Sequence, residues 1–245
     1  MVYEDIFNMA FRSHYTTLYA FICTVILCVL FQMLFFRRIA RKNRVKLSFL
    51  HYLGVGAFLV YLLVVYRVTG MGTIWDIGRY DTLIRWNQVH LIPFHNLQYD
   101  LPFLLLNIMM TIPLGFLLPI IWPEFRSLRK VAVAGFCLSM TIELSQLLNL
   151  RGTSVDDLLM NTLGAIIGYI LFALFYKIFH PLTKLEKKYK SNSAIIAGEG
   201  VFYMFFSFLG MFLFFNPQDV SGLVHMVLET SLPTYARVFL NSVGL

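Results

Sequence analysis

The sequence predicts an all-α membrane protein: a polytopic bundle of about six transmembrane helices, with a further segment at the outer membrane interface. Two observations predict this fold class. Apolar residues make up 58% of the 245 residues and charged residues only 13%, which lies outside the usual range for soluble domains. Several apolar runs also approach the ~20 residues that an α-helix needs to cross a hydrocarbon core. Soluble domains rarely repeat such runs.

The apolar runs place the helices, in chain order, at about residues 17–36, 47–66, 101–122, 131–150, 158–179 and 194–215. We divide the chain into two N-terminal helices (1–66), a core with an outer amphipathic segment and three helices (67–180), and a C-terminal part (181–245). That last part contains a basic loop, the sixth helix and a tail. Glu199 interrupts the first turns of the sixth helix and is expected near the inner interface. The tail is expected at the outer interface.

The basic residues predict the orientation. Fourteen of the 20 lysines and arginines, including all eight lysines, lie in three connections, at 37–46, 126–130 and 177–190. Cytoplasmic loops carry the excess of positive charge, so these connections are expected inside and both termini outside. Topology therefore accounts for the net charge of +7, and no nucleic-acid partner is expected.

The longest outside connection, residues 67–100, mixes aromatic and charged residues and is typical of a helix at the headgroup level. It leads into "HLIPFHN", where Pro93 disfavours a helical Ile92, so a short turn or re-entrant segment is expected there. His90 and His95 flank that turn.

Polar residues interrupt three of the predicted membrane helices at similar depths. Glu143 lies about 10 Å below the outer end of the fourth helix, at 1.5 Å per residue. Asp157 and Asn161 share one face at the start of the fifth helix, at i+4 spacing. The candidate site residues are Asn107, Glu143, Gln146, Arg151, Asp156, Asp157 and Asn161, with His90 and His95 as further candidates from the outer loop.

A carboxylate or carboxamide facing lipid costs several kcal/mol, so these side chains should face the bundle interior or a wet cavity. They have a structural alternative as interhelical contacts of about 1 kcal/mol or less each, with Asp157 capping the fifth helix. Convergence of several helices and loops at one depth favours a site. By contrast, "GAIIG" (164–168) predicts close helix packing. His51 and the three cysteines, Cys23, Cys28 and Cys137, are expected to be incidental or buried structural residues.

At these residues the chain resembles the VanZ-like family of bacterial membrane proteins. The matching segments are "LIPF" (91–94), "NIMMTIPLGFLLP" (107–119), "IELSQ" (142–146) and "RGTSVDDLLMNTLGAIIG" (151–168). His90 stands where the family pattern has asparagine. The resemblance implies a cell-membrane protein linked to resistance against teicoplanin-type lipoglycopeptides, and it implies no particular reaction.

Three functions remain open, beside a pure scaffold. The first is a binder of a lipid, glycolipid or lipopeptide in a polar cavity open to the outer leaflet, with Arg151 holding an anionic headgroup. The second is an intramembrane enzyme with Glu143 or an aspartate as general base. A zinc variant of that enzyme would use His90, His95 and a carboxylate, but the spacing matches no metal signature and no cofactor is expected. The third is a transporter, which is disfavoured because the polar residues reach only the outer half of the bundle.

Overall fold

The computed structural model describes residues 2–36, 49–78, 89–90, 92–94, 97–149, 152–179 and 193–216. These residues confirm an all-α bundle. Its helices are α1 (Val2–Phe31), which continues into a π-helical turn (Gln32–Phe36), α2 (Phe49–Thr69), α3 (Leu97–Ile121), α4 (Leu128–Gln146), α5 (Val155–Phe179) and α6 (Ser193–Phe214). Short 3-10 turns, Ile74–Asp76 and Pro123–Phe125, follow α2 and α3.

Four described segments are long and apolar enough to cross a membrane: Thr17–Phe35, Phe49–Asp76, Leu101–Ile121 and Val155–Ile178. The remaining two helices differ from these. α4 has Arg129, Lys130 and Glu143 within its 19 residues, and the apolar part of α6 is the shorter stretch Gly198–Phe214. The protein is therefore a membrane protein with several apolar helices. The count of six spans stays a prediction.

Contacts between helix ends show the directions in which the helices run. The indole of Trp122, directly after α3, donates to Glu199 in the first turns of α6, and Glu199 also contacts His51 at the start of α2. At the opposite end, the Trp75 indole, which follows α2, donates to the Leu213 carbonyl at 3.0 Å. α2 and α6 are therefore parallel to each other and antiparallel to α3.

We name the two ends by these contacts. The cavity end is where α2 and α4 end and α5 begins; the basic end is where α3 ends and α2, α4 and α6 begin. The short connections at 122–127 and 147–154 continue the alternation through α4 and α5. Charge segregation predicts the basic end inside, and this sidedness stays a prediction.

Glycines bring α3 and α5 into backbone contact. A Cβ at Gly115 would lie 1.9 Å from the Ala165 carbonyl oxygen, and one at Gly168 would lie 2.0 Å from the Ile112 carbonyl oxygen. Neither position has room for a side chain. The "GAIIG" segment therefore packs one helix on another, as its spacing predicts, and this contact fixes α3 against α5 below the site.

The middle of the bundle is apolar. Phe58 and Leu62 of α2, together with Leu114 and Leu118 of α3, are completely buried. In both helices they lie midway, between the residues at the cavity end and those at the basic end. These side chains form an apolar layer that separates the polar groups of the cavity end from those of the basic end.

Three local features differ from the sequence expectations. A two-residue parallel strand pair joins β1 (Val89–His90) to β2 (Thr153–Ser154), and strands this short leave no periodicity to recognise. α5 begins at Val155, three residues earlier than predicted, so its first turn contains Asp156 and Asp157. Carboxylates there favour the positive N-terminal end of a helix. Finally, Cys137 is exposed on the outer face of α4, so the expectation that it is buried is wrong.

Candidate functional site

A cavity of about 840 Å³ lies at the cavity end of the bundle. Its volume is typical of small-molecule sites, which measure about 300–1,000 Å³. α2, α3, α4 and α5 all contribute to its wall, together with the loop residues beside the two strands. Seven of the nine candidate residues line it: His90, Asn107, Glu143, Gln146, Asp156, Asp157 and Asn161. Arg151 and His95 lie outside the described residues.

Glu143 fixes the turn that leads into α5. Its carboxylate Oε2 accepts a hydrogen bond from the Ser154 backbone N–H at 2.9 Å, and its backbone carbonyl accepts one from the Thr153 hydroxyl at 3.2 Å. The side chain is only 6% exposed. Glu143 therefore joins the end of α4 to β2 while it also lines the cavity.

Asp156 holds the "LIPF" turn at the cavity rim. Both of its carboxylate oxygens lie within 3.1 Å of the Phe94 backbone nitrogen, which donates to them. Phe94 has a φ of 57°, in the left-handed region that few residues other than glycine adopt. The expected non-helical turn is present at Ile92–Phe94, and the contact with Asp156 fixes it to the first turn of α5.

Asn107 and Asp157 connect α3 with α5. The Asn107 side-chain amide donates to the Asp157 carboxylate, and the Asn107 carbonyl accepts from the Thr111 hydroxyl at 2.9 Å. Both side chains line the cavity above the level where Gly164 brings the two helices together. The close helix packing therefore places this polar pair.

Two of the lining residues are buried carboxamides, Gln146 at the end of α4 and Asn161 of α5. Gln146 donates through Nε2 to the Thr69 carbonyl at 2.8 Å, and Asn161 donates through Nδ2 to the Ser139 hydroxyl at 2.9 Å. The amide oxygen of each residue is buried without a hydrogen-bond partner among the described residues. Buried acceptors in proteins are normally paired, and both of these oxygens are too deeply buried to be reached from the cavity.

The opposite wall is apolar and faces outward. Phe103, Leu106 and Met109 of α3 line the cavity, and their exposed fractions are 65%, 55% and 57%. On a membrane-spanning helix, such an outward apolar surface contacts lipid hydrocarbon. The cavity therefore joins a polar interior wall to an apolar wall at the lipid boundary.

Contacts between α2 and α4 were not anticipated from the sequence. The Gly72 N–H donates to the Ser145 hydroxyl at 3.0 Å, and a Cβ at Gly72 would lie 1.9 Å from the Ser145 carbonyl oxygen. Asn149 also donates to the Gly70 carbonyl at 3.0 Å. Most of these contacts use backbone atoms, for which residue type gives little signal. They close the cavity on the side of α2.

No group of three histidine, cysteine or acidic side chains is placed to hold a metal ion within the part of the chain that the structure describes. His90 lines the cavity, but the zinc alternative also requires His95, which lies outside that part. The predicted grip of Arg151 on an anionic headgroup is likewise untested.

A second buried polar cluster lies at the basic end. Glu199 is 1% exposed; its Oε2 lies 2.9 Å from His51 Nε2 and accepts a hydrogen bond from Trp122 Nε1 at 3.1 Å. His51 therefore lies apart from the cavity, as expected, and its contact with Glu199 was not predicted from the sequence. A single histidine and a single glutamate separated by 148 positions give no sequence signal that they meet.

Residues 58–176 match the family model VanZ/LLP1. The match runs from the middle of α2 to near the end of α5 and contains every described residue that lines the cavity. α1 and α6 lie outside it. No curated protein and no solved structure matches the chain. The family match agrees with the resemblance carried by the four sequence motifs, and residues 58–176 are therefore similar to the VanZ/LLP1 family.

Proposed function

We propose that the protein binds an amphiphilic molecule, namely a lipid, glycolipid or lipopeptide, in this cavity. The polar group of the ligand contacts the wall formed by α4 and the start of α5, and its apolar chain lies along Phe103, Leu106 and Met109. The observation that carries the proposal is the junction of a buried polar wall and a lipid-facing apolar wall in one cavity.

Affinity in such a site comes mainly from the polar group. A chain that moves from lipid hydrocarbon onto apolar side chains gains little hydrophobic free energy, because lipid tails are as apolar as leucine. Hydrogen bonds to the polar wall form in a low-dielectric region, where they are stronger than in water. The cavity would therefore select ligands by their headgroups.

The apolar layer supports a one-sided binding site rather than a transporter. Alternating access requires that the central site be reachable from both sides of the membrane. Phe58, Leu62, Leu114 and Leu118 are completely buried between the cavity and the basic end. A ligand in the cavity would have to displace several of these side chains to pass.

The similarity of residues 58–176 to the VanZ/LLP1 family supports a role in resistance to teicoplanin-type lipoglycopeptides. We propose that the cavity end lies at the outer leaflet of the bacterial cell membrane, with both termini outside, because α2, α4 and α6 all begin at the other end, directly after the basic connections in the sequence. A protein there that binds surface lipids or the drug's lipid tail would lower the amount of drug at its target. Vancomycin, which lacks such a tail, should be affected less.

The test uses substitutions that remove charge and preserve shape. Wild type, Glu143→Gln and Asp157→Asn are expressed in a susceptible host, with Glu199→Gln at the basic end as the matched control. We expect both cavity variants to lose teicoplanin resistance at wild-type protein levels and the control to keep it. Full resistance in both cavity variants, or loss of resistance only in step with loss of protein, would contradict the proposal.

Mass spectrometry of the drug and lipids recovered from the same cells separates binding from catalysis. Binding predicts an unmodified drug and lipid pool alongside full resistance. A new product that depends on Glu143 would replace the proposal with an intramembrane enzyme.

A further inference from the structure

The part of α3 nearest the cavity end packs less tightly than the rest of the helix. In residues 101–106, which we call the wall segment, only Leu104 is buried, whereas five of residues 111–119 are buried. The glycine contacts that join α3 to α5 also begin below the wall segment, at Ile108. α3 is therefore fixed to α5 from Ile108 onward, and the wall segment is held more weakly.

The turn of α3 directly below the wall segment has a weakened hydrogen-bond ladder. The Thr111 hydroxyl donates to the Asn107 carbonyl at 2.9 Å, a back-bonding contact of the kind that bends helices. The Met109 carbonyl lacks its helical donor, because Pro113 has no backbone N–H. Such interruptions of the ladder are the usual cause of helix kinks, and we call residues 107–110 the hinge turn.

Tyr61 of α2 holds the hinge turn from the side. Its hydroxyl donates to the Met110 carbonyl at 2.9 Å, next in sequence to the carbonyl that Pro113 leaves without a helical donor. Tyr61 is not among the described residues that line the cavity. It therefore acts on the cavity through α3 rather than by contact with a ligand.

The wall segment lies between the cavity and the lipid. Phe103 and Leu106 line the cavity, and yet they are 65% and 55% exposed. A ligand chain that lies on this wall comes from the surrounding leaflet. Movement of the wall segment away from α5 gives that chain a direct path into the cavity, along which it stays in hydrocarbon.

We infer that the wall segment is a lateral gate for the amphiphile, and that Tyr61 is the positioning residue that holds this gate closed. The inference rests on the proposed function. Bending at the hinge turn moves the wall segment away from α5 and opens the cavity to the leaflet. The hydrogen bond from Tyr61 fixes the Met110 carbonyl to α2 and so opposes that bending.

The first experiment measures movement of the gate without a ligand, in phosphatidylcholine nanodiscs. In protein whose native cysteines are replaced by serine, labelling of Leu104→Cys by N-ethylmaleimide is compared with labelling of Gly152→Cys. Leu104 is 4% exposed and becomes accessible when the gate opens, whereas Gly152 is exposed at the cavity. Tyr61→Phe should raise the relative labelling rate at Leu104 about fivefold, the effect of losing one typical hydrogen bond.

Tyr66→Phe is the matched control. Tyr66 lies on the same helix, and its hydroxyl donates to the Met204 carbonyl of α6 at 3.1 Å, so the substitution removes a similar interhelical hydrogen bond away from the hinge turn. The relative labelling rate should stay at the wild-type value. Pro113→Ala restores a donor for the Met109 carbonyl and should lower that rate. Equal rates in Tyr61→Phe and Tyr66→Phe would overturn the inference.

The second experiment measures ligand exchange. Three lipid probes share one fluorescent acyl chain: phosphatidylethanolamine, phosphatidylglycerol and a diacylglycerol glycolipid. For a probe that wild type binds, Tyr61→Phe should raise the association and dissociation rates alike, about fivefold, and leave Kd nearly unchanged, because the closed site is intact. A raised Kd with an unchanged association rate would indicate a merely structural role and overturn the gate.

The two experiments separate the inference from the proposed function. Probe binding that Glu143→Gln weakens, at rates that Tyr61→Phe does not change, would overturn the gate and leave the amphiphile site intact. Faster labelling at Leu104 in Tyr61→Phe, together with probe binding that no cavity substitution alters, would support movement of the wall segment and contradict the proposed function.

Discussion

The cavity end and the basic end both bury carboxylates beside hydrogen-bond donors, but they differ in what surrounds them. At the basic end, Glu199 contacts His51 and Trp122, and the Trp122 ring packs against Phe58 and Tyr203. At the cavity end, three carboxylates lie around about 840 Å³ of space. A buried carboxylate alone therefore does not mark a ligand site. The accessible space next to the carboxylates of the cavity end is what supports our proposal of a ligand site there.

The two ends are far enough apart to be perturbed independently. His51 and Thr69 mark them on α2, and 18 residues of helix span roughly 27 Å. Substitutions separated by more than about 10 Å without shared partners have nearly additive effects. We therefore expect substitutions at the basic end to change mainly the stability of the protein and substitutions at the cavity end to change mainly ligand binding.

The largest loss of stability is expected at Gly168, because the contact between α3 and α5 supports both ends of the bundle. In Gly168→Ala the new Cβ would lie 2.0 Å from the Ile112 carbonyl oxygen and 3.0 Å from the Gly115 Cα, so α3 and α5 must separate. We expect a loss of about 3 kcal/mol or more in the free energy of unfolding. Thermal unfolding in detergent measures it.

Gly56→Ala is the control for that substitution. A Cβ at Gly56 meets nothing within 4 Å, and alanine favours a helix over glycine by up to about 1 kcal/mol. This variant should be at least as stable as wild type. Equal melting temperatures for the two variants would show that the α3–α5 contact does not hold the bundle together.

The second-largest loss of stability is expected from substitutions at the basic end. Glu199→Ala removes the acceptor for the buried Trp122 indole and the contact with His51, and should cost about 2–3 kcal/mol. Glu199→Gln retains an acceptor oxygen and should cost less. Probe binding per folded molecule should stay unchanged in both variants. A variant with wild-type stability and lost probe binding would show that the two ends are coupled.

A smaller effect on stability is expected at the cavity end. Asp157→Asn keeps the size of the side chain and an oxygen for the Asn107 amide, so the free energy of unfolding should fall by about 1 kcal/mol or less. Probe binding and resistance should nevertheless be lost. Unfolding curves and binding isotherms of Asp157→Asn and wild type are measured on the same preparations. A loss of binding in proportion to the unfolded fraction would favour a purely structural role for Asp157.

Topology predicts a labelling pattern with no effect on stability. In a variant whose native cysteines are replaced by serine, single cysteines at Asn43 and Lys187 should be protected from an impermeant thiol reagent in intact cells. A cysteine at Gly152, beside the cavity, should be labelled. Labelling at Asn43 or Lys187 would reverse the orientation of the two ends.

The sequence located the polar wall because helix geometry relates position to depth. Rise per residue and alternating helix direction bring Asn107, Glu143 and Asn161 to one level, and the structure places all three in the cavity wall. That they bind a ligand stays a prediction. A second sequence pattern predicted the "GAIIG" contact: small residues at that spacing in a membrane helix usually mark close helix packing.

The remaining features depend on contacts that residue types do not encode. Phe103, Leu106 and Met109 resemble every other apolar residue of a membrane helix, so nothing separates a cavity wall from an ordinary lipid-facing surface. His51 and Glu199 join two helices that are distant in sequence, and they do so through a single contact with each other. The strand pair that contains His90 lies where Glu143 accepts a hydrogen bond from the Ser154 backbone, and both are tertiary contacts.

Native mass spectrometry of the purified protein tests most directly whether the cavity end is the ligand site. Wild type, a Glu143→Gln/Asp157→Asn double variant and Glu199→Gln are extracted from the same host in the same detergent and compared at equal folded fraction. We predict a retained amphiphile on wild type and on Glu199→Gln, and its loss from the double variant. Equal occupancy in all three proteins, or loss of the amphiphile only from Glu199→Gln, would contradict the assignment of ligand binding to the cavity end.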